Sequence, residues 1–224
     1  MLKLEKMKVF IPIKHNSQRV PRKNFREFEG VPLYKHVLSK FSNFQVYVDT
    51  DSEQILDQLQ TDENLSHVHG YRRLPRLLGH ETSVCELIKN FINQFKIRDE
   101  VICQAHVTSP FLCVDTLMNA YDFMSRGFDS VVSCNTLQTR LWREEEYGMC
   151  PINHNPMKLE QTQDLPVLYE ENSLFYIFKS DVLMKTGNRI GYKPYFYVTS
   201  YPENLDIDTE DDWSLIKNME SNEH

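Results

Sequence analysis

Two stretches of this chain gather the residue types that handle phosphate and metal ions. The first is Lys14-His15-Asn16-Ser17-Gln18-Arg19-Val20-Pro21-Arg22-Lys23-Asn24, which with Arg26 places five cationic side chains and several amide and hydroxyl donors in one connection. That density of donors is the composition of a phosphate cradle, with a solvated basic loop as the alternative. The loop contains no glycine, which excludes a Walker or GxGxxG grip and leaves much of the contact to side chains. The second stretch is Asn204-Leu205-Asp206-Ile207-Asp208-Thr209-Glu210-Asp211-Asp212. In an extended segment Asp206 and Asp208 project from one face and Ile207 from the other, so two carboxylates converge as a hard divalent cation requires. Spacing alone fits an acidic helix cap equally well.

Three smaller groups stand beside these. Val107-Thr108-Ser109-Pro110 is a turn with two hydroxyl donors. Arg72, Arg73 and Arg76 could reach an anion or decorate a surface. His67 and His69 have the spacing of a metal pair but lack a nearby third ligand, so they read as ordinary strand histidines.

The elements that must position these residues follow from periodicity. Short apolar runs alternate with helix-period segments, the pattern of a parallel sheet with crossover helices. Lys8 to Ile13 reads as the first strand, with the cationic loop at its carboxyl end, where ligands of open α/β sheets bind. Leu33, Val37, Leu38 and Phe41 mark a helix, and Gln45 to Val48 a second strand ending in Asp49-Thr50-Asp51; Asp51 or Ser52 caps the next helix. Val84, Leu87, Ile88, Phe91, Ile92 and Phe95 form one stripe, with Thr82 or Ser83 and Glu86 set for a capping box. Glu100 to Ala105 reads as a strand, Val114 to Arg126 as a helix and Asp129 to Cys134 as a strand. From Asn135 to Asn172 prolines and the run Glu144-Glu145-Glu146 break the pattern, an excursion of a length that is usually functional. Ser173 to Phe178 and Pro194 to Val198 return as strands, and Asp211 to Met219 closes the chain as a helix.

Composition bounds the rest. The 224 residues, 41% hydrophobic and 25% charged, suit one folded α/β domain and exclude disorder, collagen-like repeats and coiled coil. With 32 acidic against 25 basic side chains the net charge is -7 and the pI about 5.6. That field disfavours a nucleic-acid partner, so any phosphate site must be local. The opening Met1 to Lys8 is charged and the apolar stretch Val9-Phe10-Ile11 after it is interrupted by Pro12, so no signal peptide is expected; no run reaches the length of a membrane span, and a cytoplasmic location is expected. The five cysteines form no CxxC pair and are expected to be reduced and mostly buried.

Taken in order, Ile11 to Asn24, Val48-Asp49-Thr50-Asp51, Thr108-Ser109-Pro110, Ser130-Val131-Val132-Ser133, Glu171 to Tyr176 and Asp206-Ile207-Asp208-Thr209 resemble the acylneuraminate cytidylyltransferase family, the CMP-sialic acid synthetases. The likeness runs over nearly the whole chain, and the S-x-R-x-P-x-K variant is similar to the related CMP-Kdo synthetases. The resemblance implies a Rossmann-like nucleotidyltransferase fold with a mostly parallel central sheet, acting on CTP and a small acidic sugar with Mg²⁺. It also implies a homodimer joined through the 135–172 excursion. It implies nucleotide binding by Lys14, Asn16, Ser17, Lys23, Asn24, Arg73, Thr108 and Ser109, with Lys23, Arg19 and Asp208 at the reacting phosphates and Asp206 and Asp208 on the metal. His106, Gln163, Glu171 and Asn172 fall on the acceptor side.

Three departures from the family pattern stand out. Lys14 replaces an arginine, keeping the charge but losing the bidentate fork. His106 replaces the glutamine that commonly precedes the hydroxyl turn. Gln161, Thr162 and Glu170 occupy the stretch where bacterial sialic-acid enzymes carry carboxylate-binding arginines, so carboxylate binding must move, with Arg140, Arg143 and Lys158 the nearest cations in sequence. N-acetylneuraminate is therefore expected to be a poor acceptor. The rival readings are a same-fold enzyme for another nucleotide or a phosphorylated acceptor, and a non-catalytic nucleotide-binding relative.

Overall fold

The computed structural model describes residues 7–79 and 81–220; the opening Met1 to Lys6 lies outside them. Strands β1 (Met7–Ile13), β4 (Gln45–Thr50), β5 (Val68–Arg72), β6 (Val101–Ala105), β7 (Ser130–Leu137), β10 (Leu168–Lys179) and β11 (Pro194–Val198) form one sheet. The two-residue strands β2 (Glu27–Phe28) and β3 (Val31–Pro32) and the longer β8 (Trp142–Glu145) and β9 (Gly148–Pro151) make separate hairpins. The sheet order is β11-β7-β10-β6-β1-β4-β5. All neighbours are parallel except β10, which runs antiparallel to both β6 and β7. Helices α1 (Leu33–Lys40), α2 (Glu53–Thr61), α3 (Val84–Gln94), α4 (Val114–Ser125), α5 (Ser180–Thr186) and α6 (Glu210–Glu220) flank it.

The order reverses at β1: β4 and β5 are laid down on one side and β6 on the other. This opens a crevice at the carboxyl ends of β1 and β6, the place where doubly wound sheets bind ligands. Val9, Ile11 and Val48 on one face and Phe10 and Ile102 on the other are fully buried in two separate apolar clusters, because a parallel sheet covered on both faces alternates its residues between two cores. Ser52 caps α2 through Ile55 N, and Ser83, not Thr82, makes the reciprocal capping box with Glu86 on α3.

Four features depart from the sequence reading. The excursion begins later and ends earlier than expected, since residues 135–137 extend β7 and 168–172 begin β10, pairing Leu137 with Leu168 and Cys134 with Glu171. Ladder bonds are made by backbone groups, so polar side chains such as Glu170, Glu171 and Asn172 do not prevent strand pairing. The hairpins and α5 were not foreseen; Glu29 and Gly30, both at positive φ, supply the tight turn of the first hairpin. Cys103 and Cys134 are buried, but Cys85 and Cys150 are half-buried and Cys113 is exposed, all as free thiols. No helix among the described residues is long and apolar enough to cross a membrane.

Candidate active site

A cleft of about 260 Å³ opens at the β1/β6 crevice. Lys14, Asn16, Ser17, Arg19, Lys23 and Asn24 line one side, and His106 and Thr108 the other. The loop that carries the cations is built, not loose. Val20 is fully buried beneath it, Lys23 N donates to the Val20 carbonyl at 3.2 Å, and Asn24 Nδ2 donates to the Lys14 carbonyl at 2.7 Å. His15 N donates to Asp51 Oδ1 at 2.6 Å and its ring meets Ser52 Oγ, fastening the loop to the end of β4. Backbone and side-chain ties of this kind hold the outward-facing donors in place.

The acidic turn meets the loop from across the crevice. Ile207 is fully buried while Asp206 and Asp208 are half-buried, the alternation expected of an extended segment. Ile207 N donates to the Thr108 carbonyl at 2.9 Å, and the Lys23 ammonium donates to the Ile207 carbonyl. The hydroxyl turn therefore supports the acidic turn: Ser109 Oγ donates to Asp206 Oδ1 at 3.4 Å and Thr108 also bonds that carboxyl. Thr209 and Asp212 cap α6 reciprocally, Thr209 N donating to Asp212 Oδ2 at 2.7 Å and Asp212 N to Thr209 Oγ1 at 3.2 Å. The helix cap thus uses Asp212, which leaves Asp206 and Asp208 for other work.

Electrostatics at this corner are poised. Burial pushes the Asp206 carboxyl up, its hydroxyl partners and Lys23 pull it down, and the neighbouring Asp208 charge pushes it up again. Burial holds the Lys23 ammonium below the ordinary lysine value, while Asp206 and Asp208 raise it. Arg19 pairs with Asp208 at 2.6 Å, with both side chains well exposed; such a pair is weak and can be exchanged for a ligand. Two hard carboxylates beside two cations can bind a metal and a polyphosphate side by side.

Several expected site residues lie elsewhere. Arg73 is buried against Asp49, with Nη2 donating to the Asp49 carbonyl at 3.1 Å, and it does not line the cleft. Arg72 pairs with Glu53, and Arg76 reaches Asn90 at 3.2 Å. Gln163 sits exposed on the arm beyond β7, bonded to Gln161. Asn172 is spent on Asn135 and Thr199 at 2.9 and 2.7 Å, and Glu171 accepts from the Tyr176 hydroxyl at 2.8 Å. His67 bonds the Leu38 carbonyl at 3.0 Å, as a strand histidine would. Conversely, Gln104, Tyr176 and Arg189 cluster beside His106, and none was singled out from sequence. A glutamine inside the apolar run Val101 to Ala105 was the one available signal.

Comparisons with known proteins bear on the fold and the family. CMP-N,N'-diacetyllegionaminic acid synthase of Legionella pneumophila is 27% identical over 226 residues, covering 93% of this chain and 94% of the relative. Pseudaminic acid cytidylyltransferase of Campylobacter jejuni is 26% identical, covering 92% and 93%. N-acylneuraminate cytidylyltransferase of Streptococcus agalactiae is 24% identical over 91% of this chain, but the chain spans only 50% of that longer relative. Among solved structures, CMP:2-keto-3-deoxy-manno-octonic acid synthetase complexed with CTP superposes with a TM-score of 0.67 at 14% identity, covering 98% of this chain and 100% of that one. A 4-diphosphocytidyl-2C-methyl-D-erythritol synthase gives 0.68 at 12%, covering 96% and 99%. At those identities the likeness is one of fold. The profile of the cytidylyltransferase family matches residues 9–223, so the chain, whose cationic loop and acidic turn close on one crevice, belongs to the cytidylyltransferase family.

Proposed function

We propose that the protein transfers CMP from CTP to an acidic sugar, a nonulosonic or related acid, for surface glycan synthesis. The observation that carries this reading is the cleft lined by Lys14, Arg19 and Lys23 at the sheet's switch point, where Lys23 and Arg19 also meet the Asp206–Asp208 turn. In the reaction a hydroxyl oxygen of the acceptor bonds to the α-phosphorus of CTP. The bond from that phosphorus to the bridging oxygen breaks, pyrophosphate leaves, and the hydroxyl proton is released to water. The protein's task is to align the triphosphate and offset its charge. Lys23 and Arg19 supply cations there, Asn16 and Ser17 supply neutral donors, and Asn24 holds the loop through the Lys14 carbonyl.

Asp206 and Asp208 fit Mg²⁺ because both are hard acceptor-only ligands, and Asp206 is a half-buried carboxyl held by two hydroxyls. Among the described residues no cluster of three or more His, Cys, Asp or Glu could hold a metal alone, so phosphate and water oxygens would complete its shell. When bound, Mg²⁺ would neutralise charge on the phosphates.

The reading includes a cytoplasmic homodimer. The arm between β7 and β10 exposes Tyr147, Met149, Met157 and Leu159, with Tyr147, Met157 and Leu159 94%, 92% and 91% exposed. A second copy of the chain would cover them. The test is pyrophosphate release with CTP and Mg²⁺ over N-acetylneuraminate, N,N'-diacetyllegionaminic acid, pseudaminic acid and 2-keto-3-deoxy-manno-octonic acid. Turnover with at least one is expected, with N-acetylneuraminate not the best. Release with none of them, in protein that binds CTP, would defeat the reading.

A further inference from the structure

A sugar acid brings a carboxylate that this chain must receive without the arginines expected before Asn172. Arg140 is spent on the Glu160 carbonyl, Arg143 pairs with Glu145 and Lys158 with Glu160 at 2.7 Å, all on the arm. The structure brings forward a different cation. Arg189 lies in the loop between α5 and β11, its guanidinium carbon 3.4 Å from the centroid of the Tyr176 ring, and Nη1 donates to Gln104 Oε1. Gln104, fully buried, passes the connection on, since its Nε2 lies 2.6 Å from His106 Nε2, and His106 lines the cleft. Among the described residues Arg189 forms no ion pair with a carboxylate; Glu171, which acts on Tyr176, accepts from the Tyr176 hydroxyl.

The loop that carries Arg189 is preorganised. Asp129 accepts from the backbone of Tyr192 at 2.8 Å and of Lys193 at 3.1 Å, and Ser130 Oγ accepts from Gly191 N at 2.9 Å. Asn188 Oδ1 accepts from Ile190 N at 3.2 Å, and Thr186 Oγ1 from Asn188 N at 3.0 Å. A carbon added at Gly191 would collide with the Asp129 carboxylate, so the approach is as close as a glycine permits. Stacking over an aromatic ring fixes the plane of a guanidinium and leaves its remaining N–H edges for a planar bidentate anion.

We propose that Arg189, held by Tyr176 and Gln104, receives the carboxylate of the acceptor acid and sets the enzyme's requirement for it. His106 is joined to Arg189 through Gln104 and shares the cleft with Lys23, and both cations act on it. The acceptor therefore spans from Arg189 toward the phosphates near Lys23, with the neutral His106 ring, which lines the cleft, placed to meet its hydroxyls or amides, while the buried Gln104 holds Arg189 and His106 in position. A neutral sugar would leave the Arg189 charge unmatched, a penalty that acts as selection for the acid.

This proposal rests on the proposed function, and the test separates the two. The probe is whichever acid of the panel turns over fastest, together with its carboxamide analogue, using wild type, Arg189→Gln and Arg189→Lys. Wild type should prefer the carboxylate; Arg189→Gln should raise acceptor KM roughly 10- to 100-fold, leave CTP KM unchanged and lose discrimination against the carboxamide. Arg189→Lys should restore part of the preference, since it keeps the charge without the fork. If Arg189→Gln is folded by circular dichroism and keeps the wild-type preference, Arg189 is only a packing residue and the proposal falls, while the proposed function stands. A wild type that binds CTP but uses no acid overturns both.

Discussion

Lys23 stands between two demands: burial favours its neutral form, whereas Asp206 and Asp208 favour the ammonium. A triphosphate entering the cleft adds negative charge on the side of the ammonium. Lys23→Ala is expected to weaken CTP binding by roughly 1.5–3 kcal/mol, the loss of one charge-assisted contact, as isothermal calorimetry would show. Because Lys23 also donates to the Ile207 carbonyl, the variant should melt somewhat lower, and affinity must be compared below its melting range. Asp208→Asn keeps shape and removes charge. Turnover should collapse, with the fold intact by circular dichroism, because charge neutralisation at the transferred phosphoryl group is a large catalytic term. Near wild-type turnover under limiting Mg²⁺ would reduce the pair to a structural acidic turn.

At the scale of elements, β10 does the least expected work. It runs between β6 and β7 against the direction of both. The register shift between Glu171 and Tyr176, with Ser173 at φ 59°, bends the strand so that Tyr176 comes to lie beneath Arg189. Bulges commonly re-aim side chains in this way. The hairpin of β8 and β9 extends from the neighbouring strand with Trp142, Tyr147 and Met149 exposed, although Trp142 is partly shielded by His154, ring centroids 4.9 Å apart. If the proposed dimer forms on this arm, Tyr147→Ser with Met149→Ser should shift the protein toward monomer in sedimentation velocity. A dimer that persists unchanged would place the interface elsewhere.

For the molecule as a whole, acid stability should carry the signature of His106. Burial first, then the charges of Arg189 and Lys23, lower its pKa from 6.5 to about 4. The unfolded chain therefore binds more protons between those values, so stability falls as pH drops from about 6.5 toward about 4 and is unaffected by this group above that window. His106→Gln, which keeps a polar group beside Gln104, should flatten that part of the stability curve measured by urea unfolding at stepped pH. An unchanged slope would mean that other groups govern it.

The strands that frame the crevice, the α3 capping box and the cationic and acidic stretches that meet there were legible in the residues, because each rests on local physics: strand and helix period, a hydroxyl three residues before a glutamate, cations massed in one loop. Asp206 and Asp208 were legible for the same reason, since alternation about Ile207 settles their common face. Arg73 was misplaced because one sequence cannot say whether an arginine after a strand faces outward or, as here, inward onto Asp49. The joining of Arg189 to Gln104 and His106 was beyond local reading. Those residues are 85 and 83 positions apart from Arg189 in the chain, and they meet only because β10 inserts antiparallel between β6 and β7 and Asp129 anchors the returning loop. Long-range pairing and the cost of closing such loops are properties of the assembled sheet, not of any window of sequence.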